Sequence, residues 1–423
     1  MIAHTERVLM PSILSLREQA TVVNQLLRLR FERLLPMAMR QAGIDLWLII
    51  CNEDNLDPVF RTMIPWECWT PILQIVVFYD RGGDAGVERL NLSRTDMRGL
   101  MTNVWNPNEE EQWDCLKRII AERNPQRIGV NQSDVIWAAD GLTARLKEKL
   151  VAVLGADRAA RITSAEMACI RWLETRLPEE IVLYHHVCAV AHAVIKECFS
   201  RRVITPGVTT CEDLRWHYWQ RVGDLGLQAS FSPFFRRLRS HEAEAHWGQD
   251  DLSIRPGDML HCDVGLQYLR LCTDHQELAY VLQAGEAEAP QGLRDGMAQA
   301  NRLQDVFVNS WREGLSGNDI LALALERAAQ AGLSKPKIYS HSLGYYLHEP
   351  GPLMGLPWEQ GRIPGRGDVI MRYDTCYTVE LSVTCPVPEW GSQEVAFALE
   401  QDAAFTAGGP LFLDGRQTQF HLI

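Results

Sequence analysis

Apolar and polar positions along the first part of the chain follow two different periods. Residues 15–43 carry apolar side chains at helical spacing, and Pro36 predicts a kink or break within that helix. The runs at 45–53 and 72–80 are apolar, rich in β-branched residues, and as long as buried strands. The pattern then predicts a helix, a strand and a helix over 109–123, 127–131 and 136–150. Strands that alternate with helices indicate an α/β domain, to which we assign residues 1–175.

The segment RLPEEI at residues 176–181 marks a predicted domain boundary. Pro178 can occupy the first turn of a helix, and the two glutamates after it favour the positive end of the helix dipole. This helix is predicted to run to about Arg202. The segment ITPGVTTCEDL then predicts a turn and another helix, with Thr209 or Thr210 as its N-cap.

From about residue 258 the pattern becomes richer in strands. The string DMLHCDVGLQYLRLCTDHQELAYVL predicts two strands joined by a tight link near Tyr268. Helical periodicity follows near 290–313 and 317–332, and the runs 368–381 and 393–406 are strand-like. We therefore expect residues 176–423 to form an α+β domain.

Composition narrows the class of protein. The 423 residues carry a formal net charge of -12 without a basic stripe, which argues against a nucleic-acid partner. The 11 cysteines contain no CxxC pair and indicate free thiols in a reducing compartment. The N-terminus does not resemble a signal peptide, and no run of 18 or more apolar residues predicts a membrane span. We therefore expect a cytoplasmic protein.

Two aspartates flank the predicted strand link. Asp263 and Asp274 are 11 residues apart, so a turn near Tyr268 would place them roughly opposite each other. Two carboxylates this close repel each other, and one takes up a proton unless a cation lies between them. The alternative is that one or both are charged residues at the surface end of a strand.

Three further positions offer ligand atoms. His341 and His348 are seven residues apart in SHSLGYYLHEP, a segment constrained by glycine and proline. Glu380 is predicted at the end of the strand in 368–381, and Glu400 lies between apolar residues in FALEQDAAF. A carboxylate inside an apolar strand is costly to bury unless it is paired or bound to a metal. Structural histidines and charges on edge strands remain the alternatives.

Taken together, these positions provide a ligand set without sulfur. Four carboxylates and one imidazole suit hard to borderline divalent ions such as manganese, cobalt, iron or zinc. Four carboxylates also balance the charge of two such ions. A pair of ions can activate water and polarise a carbonyl group.

The chain resembles the pita-bread metallopeptidases. This family includes Xaa-Pro aminopeptidases, prolidases, methionine aminopeptidases and the metal-free creatinases. The resemblance rests on the strings IRPGDMLHCDVG, TDHQ, SHSLGYYLHEP, YTVEL and ALEQDAAFT, on their order, and on both spacings described above. It covers about 178–410 and implies a pita-bread catalytic domain over 176–423. The N-terminal half is similar in layout to the creatinase-type α/β domain.

The resemblance implies a role for each predicted ligand. Asp263 would bind one metal ion, and Asp274 and Glu400 would bridge two. His341 and Glu380 would complete the second site, with Glu380 also passing a proton. The implied cofactor is a pair of divalent ions, with manganese favoured and cobalt, zinc or iron as alternatives.

Two further histidines take substrate-side roles by resemblance. His348 matches the second histidine of the family, which contacts the substrate or the developing oxyanion. His246 lies 17 residues before Asp263, where Xaa-Pro aminopeptidases carry a histidine near the substrate, and His241 is the competing candidate.

The chain also departs from the family pattern. Asp274 is followed by His-Gln-Glu rather than by a hydrophobic residue and Thr/Ser-Arg. Lys337 replaces a histidine of Xaa-Pro aminopeptidases, and Ala398 replaces a prolidase-like arginine. These changes leave the metal ligands in place and alter the predicted rim of the pocket.

The expected function is metal-dependent hydrolysis of C–N bonds, of the Xaa-Pro aminopeptidase or dipeptidase type. The substrate would be a small peptide or small molecule, and the resemblance implies a homodimer. A creatinase-like amidinohydrolase or a sulfonium-compound lyase is the alternative. A binding module without activity is the third hypothesis, and the complete ligand set argues against it.

Overall fold

A computed structural model describes residues 10–423, except for the side chain of Asp84. The chain divides into two compact units, one of residues 14–177 and one of residues 178–423 together with the described residues up to Ile13. The segment 1–9, part of the N-terminus that does not resemble a signal peptide, lies outside the described residues.

The first unit is a six-stranded mixed sheet with helices. Its helices are α1 (Leu16–Leu29), α2 (Leu35–Gln41), α3 (Pro58–Met63), α4 (Gln112–Arg123), α5 (Ala144–Ala159) and α6 (Glu166–Glu174). Its strands are β1 (Leu46–Asn52), β2 (Leu73–Asp80), β3 (Val87–Asn91), β4 (Thr102–Asn103), β5 (Ile128–Val130) and β6 (Ile162–Ser164). The strand order is β4-β3-β2-β1-β5-β6. Buried residues of β1, β2, β5, α4 and α5 form one core.

Most predicted elements of this unit are present, with one displaced. The helix predicted over 15–43 is divided by a π-helical turn at Arg30–Leu34, directly before Pro36. The helix predicted over 136–150 was placed too early. Residues Trp137–Ala139 form a short 3-10 turn, and α5 begins only after Thr143, whose hydroxyl accepts the Leu146 amide.

Three helices lie in the first part of the second unit: α7 (Pro178–Cys198), α8 (Cys211–Asp224) and, after two short strands, α9 (His241–Trp247). Of the two candidate caps, Thr210 begins α8, in a capping box with Asp213. Helix α7 ends at Cys198, before the predicted Arg202. By length and composition α7 could cross a membrane, but 56% of its apolar window is buried inside the protein.

Four small sheets and two long helices complete the second unit. The strands are β7 (Gln228–Ala229), β8 (Phe234–Leu238), β9 (Met259–Val264), β10 (Leu266–Tyr268), β11 (Leu271–Cys272), β12 (His275–Tyr280), β13 (Lys337–Tyr339), β14 (Thr375–Thr378), β15 (Glu380–Val387), β16 (Gln393–Leu399), β17 (Asp402–Thr406), β18 (Gly409–Phe412) and β19 (His421–Leu422). The sheet orders are β11-β10-β7, β19-β12-β9-β8, β13-β15-β16 and β14-β17-β18. Helices α10 (Gln291–Val308) and α11 (Gly317–Gln330) contribute apolar residues to the core that contains β15 and β16.

One predicted strand of this unit is wrong over half its length. Of residues 368–381, only Thr375–Thr378 and the residues from Glu380 onward are in strands, and Arg366–Asp368 forms a 3-10 turn. Glu380 therefore begins β15 rather than ending a strand. Alternating apolar residues upstream, such as Val369 and Met371, make backbone hydrogen bonds to the segment around α11 instead of pairing in a sheet.

Candidate metal centre

The two aspartates lie on neighbouring strands but not directly opposite each other. Asp263 is in β9, and Asp274 immediately precedes β12. The antiparallel register pairs Gln276 with Asp263, so Asp274 is displaced by two residues along the strand. The displacement arises because the link is not a simple turn: β10 and β11 form their own hairpin, which pairs with β7 in a different sheet. The period of two in a strand keeps both aspartates on one face.

Three predicted ligands come together in the interior. Side-chain donor atoms of Asp274, His341 and Glu400 all lie within 4.8 Å of one another, and all three residues are buried. The Asp274 Oδ2 atom is 3.6 Å from His341 Nε2. His341 follows β13, and Glu400 lies between β16 and β17, so elements far apart in the chain supply this cluster.

The surroundings of Asp263 and Asp274 raise the pKa values of both carboxyl groups. Burial raises the pKa of Asp274 to about 8. Burial, followed by repulsion from Asp274, raises the pKa of Asp263 to about 7, while Arg236 acts in the opposite direction. In the absence of a cation, burial and mutual repulsion therefore favour the protonated forms of both carboxyl groups.

Glu380 and Glu400 are repelled by the same two aspartates. Burial, then repulsion from Asp274 and Asp263, raises the pKa of Glu380 well above its ordinary value. Burial and the neighbouring carboxylates do the same to the pKa of Glu400. Four carboxyl groups are thus close enough to oppose each other's ionisation, which is the situation a divalent cation relieves.

His341 presents one ring nitrogen to the cluster. Its Nδ1 donates a hydrogen bond to the Ser342 carbonyl oxygen at 3.2 Å, which leaves the lone pair on Nε2. Burial lowers the pKa of His341 to about 3, so the ring is neutral at physiological pH. A neutral imidazole oriented by a second hydrogen bond is the form that binds metals.

Several buried polar atoms of the cluster lack hydrogen-bond partners, which indicates whether a metal ion could bind there. Within residues 10–423, the Asp274 Oδ1, Glu400 Oε1 and His341 Nε2 atoms are buried and have no hydrogen-bond partner. Leaving such atoms without partners costs about 1–3 kcal/mol each. The donors are oxygen and nitrogen only, which suits a hard or borderline divalent ion. The residues present therefore fit a metal centre.

Gln276 also belongs to this site, although the sequence motifs did not predict it. Its side-chain Nε2 donates to Glu380 Oε1 and to Glu400 Oε2, both at 2.8 Å. Its Oε1, which can only accept, takes a hydrogen bond from His261 Nε2 at 2.9 Å, and burial lowers the pKa of His261 to about 3. The sequence signal was present, because Gln276 belongs to the segment that departs from the family pattern after Asp274.

The two predicted substrate-side histidines lie in different surroundings. The His348 ring packs edge-on against His341, with ring centres 4.3 Å apart, and the side chain also reaches solvent. His246 is exposed in α9, with its ring centre 4.6 Å from that of Trp247. Among the described residues, His246 makes no hydrogen bond to the five predicted ligands. The competing candidate, His241, is the first residue of α9, and its backbone amide donates to Gln393 Oε1.

The sequence of the catalytic unit matches a known protein family. A sequence model of metallopeptidase family M24 matches residues 183–406, which is more than half of the chain and includes all five predicted metal ligands. The chain belongs to metallopeptidase family M24. No curated protein sequence matches it significantly.

Solved structures of similar fold extend the match to nearly the whole M24 chain. An X-Pro aminopeptidase from Thermotoga maritima MSB8 is 14% identical, with a TM-score of 0.62, and the match covers 92% of this chain and 100% of that chain. A Xaa-Pro dipeptidase from Bacillus anthracis is 18% identical, with a TM-score of 0.59, and the match covers 96% and 100%. A dipeptidase from Mycobacterium ulcerans is 15% identical, with a TM-score of 0.59 and coverage of 96% and 98%.

These comparisons confirm the predicted fold class. The chain has an N-terminal α/β domain and a pita-bread catalytic domain, and the resemblance inferred from the sequence motifs is correct. The M24 metallopeptidases use divalent metals, and the cluster of Asp274, His341 and Glu400 is a candidate group for binding them in this chain.

Two departures from the family pattern meet in one row of this M24 sheet. Ser382 of β15 pairs with Lys337 of β13 on one side and with Ala398 of β16 on the other. Glu380 pairs with Tyr339 in the next row on the same face, two residues along each strand. The row of Lys337, Ser382 and Ala398 therefore lies next to the candidate metal centre.

Arg366 is a second residue that sequence reasoning did not find. Its positive charge contributes to the lowered pKa values of His341 and His348, behind burial in both cases, and burial lowers the pKa of Arg366 itself. Its Nη2 donates to the Glu349 carbonyl oxygen at 2.8 Å, while its buried Nε has no hydrogen-bond partner in the described chain. Arg366 begins a short 3-10 turn in a glycine-rich segment, where the spacing of residues in the sequence does not predict a binding site.

Proposed function

We propose that this chain is a dinuclear metal-dependent hydrolase of C–N bonds, of the Xaa-Pro aminopeptidase or dipeptidase type, acting on small peptides. The observation that carries the proposal is the convergence of Asp274, His341 and Glu400 on one buried point, with Asp263 and Glu380 in the same electrostatic field. Family membership supports a metallopeptidase-like hydrolase, and the substrate type is the proposed step.

The five predicted ligands would together hold the two proposed ions. Asp263 would hold one ion, His341 and Glu380 the other, and Asp274 and Glu400 would contact both. When bound, such a pair supplies a Lewis acid for the scissile carbonyl and ionises a water molecule near neutral pH. Four carboxylates neutralise the charge of two divalent ions. We propose manganese as the metal, with cobalt, zinc or iron as alternatives.

Glu380 and His348 would act on protons. The surroundings raise the pKa of Glu380, burial most of all, so this carboxyl group can hold a proton and pass it to the leaving nitrogen. Burial, followed by the charges of His341 and Arg366, lowers the pKa of His348 to about 4. His348 is therefore neutral at physiological pH and can donate one hydrogen bond to the oxygen that becomes negative during attack.

Arg366 supports the proposal that the substrate is short and carries a carboxylate. The half-buried guanidinium of Arg366 acts on His348 and has an unpartnered Nε in the described chain, so it can bind a carboxylate, which Arg holds through a rigid pair of donors. The terminal carboxylate of a dipeptide has this chemistry. A role for His246 at the substrate, a homodimer and a cytoplasmic location are further parts of the proposal.

The test is hydrolysis of a peptide panel by the metal-loaded protein. Xaa-Pro dipeptides and tripeptides, with matched peptides lacking proline, are incubated with protein loaded with Mn²⁺ or Co²⁺. We expect cleavage of the Xaa-Pro bond that EDTA abolishes and added metal restores. Protein that binds two ions per chain yet cleaves no peptide in the panel would refute the peptidase assignment.

The row of Lys337, Ser382 and Ala398 favours a second candidate function. This row adjoins the metal centre and lacks both the histidine and the arginine that the family's proline-specific enzymes carry there. A non-peptidase such as a creatinase-like amidinohydrolase or a sulfonium-compound lyase is therefore the alternative. Turnover of creatine or of a sulfonium compound, with no cleavage of peptides, would establish it. Binding without turnover of either class would indicate an inactive binding module.

A further inference from the structure

A second buried cluster of ligand-type side chains lies in the catalytic unit. It consists of Cys188 of α7, His275 of β12 and Asp402 of β17, and their donor atoms all lie within 4.8 Å of one another. None belongs to the ligand set predicted from the sequence. All three residues are 0% exposed.

The distances within this cluster suit a single small cation. The Cys188 Sγ atom is 3.6 Å from Asp402 Oδ2, and His275 Nε2 is 3.8 Å from the same oxygen. Around tetrahedral zinc, the known bond lengths place a sulfur ligand roughly 3.5–3.7 Å, and a nitrogen ligand roughly 3.3–3.5 Å, from an oxygen ligand. The distance from Cys188 to Asp402 therefore lies within the expected range, and the distance from His275 to Asp402 is a few tenths of an ångström longer.

Missing hydrogen bonds are the second, independent observation. Both ring nitrogens of His275 and the Oδ1 atom of Asp402 are buried without a hydrogen-bond partner in the described chain. The Asp402 Oδ2 atom accepts the Asp274 amide at 3.2 Å. The first centre shows the same combination of close ligand atoms and unpartnered buried nitrogen and oxygen at Asp274, His341 and Glu400.

Neighbouring side chains do not satisfy the cluster. The nearest ring is His192, edge-on to His275 with centres 4.5 Å apart, but its own nitrogens contact Gln401 Oε1 and Asp414 Oδ2, both at 2.9 Å. Glu277, an acidic residue near His275, pairs with His421. Apart from the Asp274 amide, which donates to Asp402 Oδ2, these neighbours leave both ring nitrogens of His275 and the Asp402 Oδ1 atom without a hydrogen-bond partner in the described chain.

We propose that Cys188, His275 and Asp402 form a separate binding site for one zinc-like divalent ion, next to the M24 metal centre. A thiolate, an imidazole and a carboxylate are a borderline-soft set that favours zinc over the manganese proposed for the all-oxygen-and-nitrogen centre. Thiolate and carboxylate together balance one divalent charge. The site joins α7 to the first residues of β12 and β17, and through the Asp274 amide it supports the strand that carries Asp274. It does not depend on the proposed reaction.

Cobalt absorption tests the site without measuring activity. Metal-free full-length protein is titrated with Co²⁺ in buffer lacking added thiols, and the near-ultraviolet sulfur-to-cobalt charge-transfer band is recorded. The first centre contains no cysteine, so only a site with a thiolate produces the band. We expect the band in the native sequence and in Asp274→Asn, and its loss in Cys188→Ser. Cys198→Ser, which changes another buried cysteine of the same helix, is the matched control and should retain it.

Metal content provides the second measurement. After loading with zinc and desalting, Cys188→Ser and Asp402→Asn should each hold one ion per chain fewer than the native protein, with native-like circular dichroism. Absence of the band at saturating Co²⁺ in the folded native protein would overturn the proposal. So would a band that persists in Cys188→Ser. If Cys188→Ser does not fold, the native titration and Asp402→Asn still decide the question.

Discussion

Gln276 and Glu400 are joined by three hydrogen bonds. Their backbones exchange N–H···O bonds of 3.1 and 3.0 Å, and the Gln276 side-chain amide donates to Glu400 Oε2 at 2.8 Å. The same amide nitrogen donates to Glu380 at 2.8 Å. One side chain thus orients both glutamates of the candidate centre, in the way that outer-shell partners orient metal ligands.

Replacing this side chain should weaken metal binding. In Gln276→Leu, neither glutamate is held by the amide, and we expect metal affinity to fall roughly 10–100-fold. Isothermal titration with Mn²⁺ measures the change. Gln19→Leu, which removes a buried glutamine of the N-terminal unit, is the control and should leave affinity unchanged. Equal affinities in native and Gln276→Leu protein would show that the contact does not orient the ligands.

Asp274→Asn should separate metal binding from folding. The substitution keeps the shape of the side chain but removes the charge that repels Asp263, Glu380 and Glu400. We expect lost turnover and reduced metal content. We also expect a higher melting temperature than that of the metal-free native protein at pH 8, because the repulsion is relieved. Turnover at the native rate would exclude Asp274 as a bridging ligand.

Stability of the metal-free protein should fall as pH rises. The folded pKa values of Asp263 and Asp274, about 7 and about 8, lie above the ordinary value of 3.8. The unfolded chain releases these protons first, so the stabilising difference is present below about pH 4 and is lost progressively up to about pH 8. Bound cations favour the ionised carboxylates and remove this loss.

Thermal unfolding across this pH range checks that prediction. Melting temperatures are measured with EDTA and with Mn²⁺, and the gap between the two series should widen toward alkaline pH. In Asp274→Asn, the decline with EDTA should be shallower. Parallel curves with and without metal would contradict the linkage.

Two glycines in helices of the catalytic unit should respond in opposite directions. A Cβ at Gly296 of α10 would lie 2.2 Å from the Phe397 ring, so Gly296→Ala should destabilise by about 1–3 kcal/mol. A Cβ at Gly223 of α8 meets nothing within 4 Å. Gly223→Ala should therefore stabilise by up to about 1 kcal/mol through its helix propensity. Urea unfolding of both variants measures the pair, and stabilisation by Gly296→Ala would contradict the packing.

Local pattern was sufficient to predict many of the elements. Continuous apolar runs of strand length located β1 and β2, a short strand was correctly predicted at β5, and the boundary residue Pro178 begins α7. Pattern failed where apolar alternation served another purpose. Residues before Thr375 alternate like a strand but make hydrogen bonds to the segment around α11, so Glu380 was placed at the wrong end of its strand.

The sequence by itself determined the family, the order of the predicted ligands and their chemical type, because these depend on residue identity and spacing. Only the tertiary structure decided that Gln276 pairs with Asp263 and that Arg366 lowers the pKa of His348. It also brought the side chains of Cys188, His275 and Asp402 together. These relationships join residues as many as 214 positions apart. Strand register and helix packing set such distances, and no local period records them.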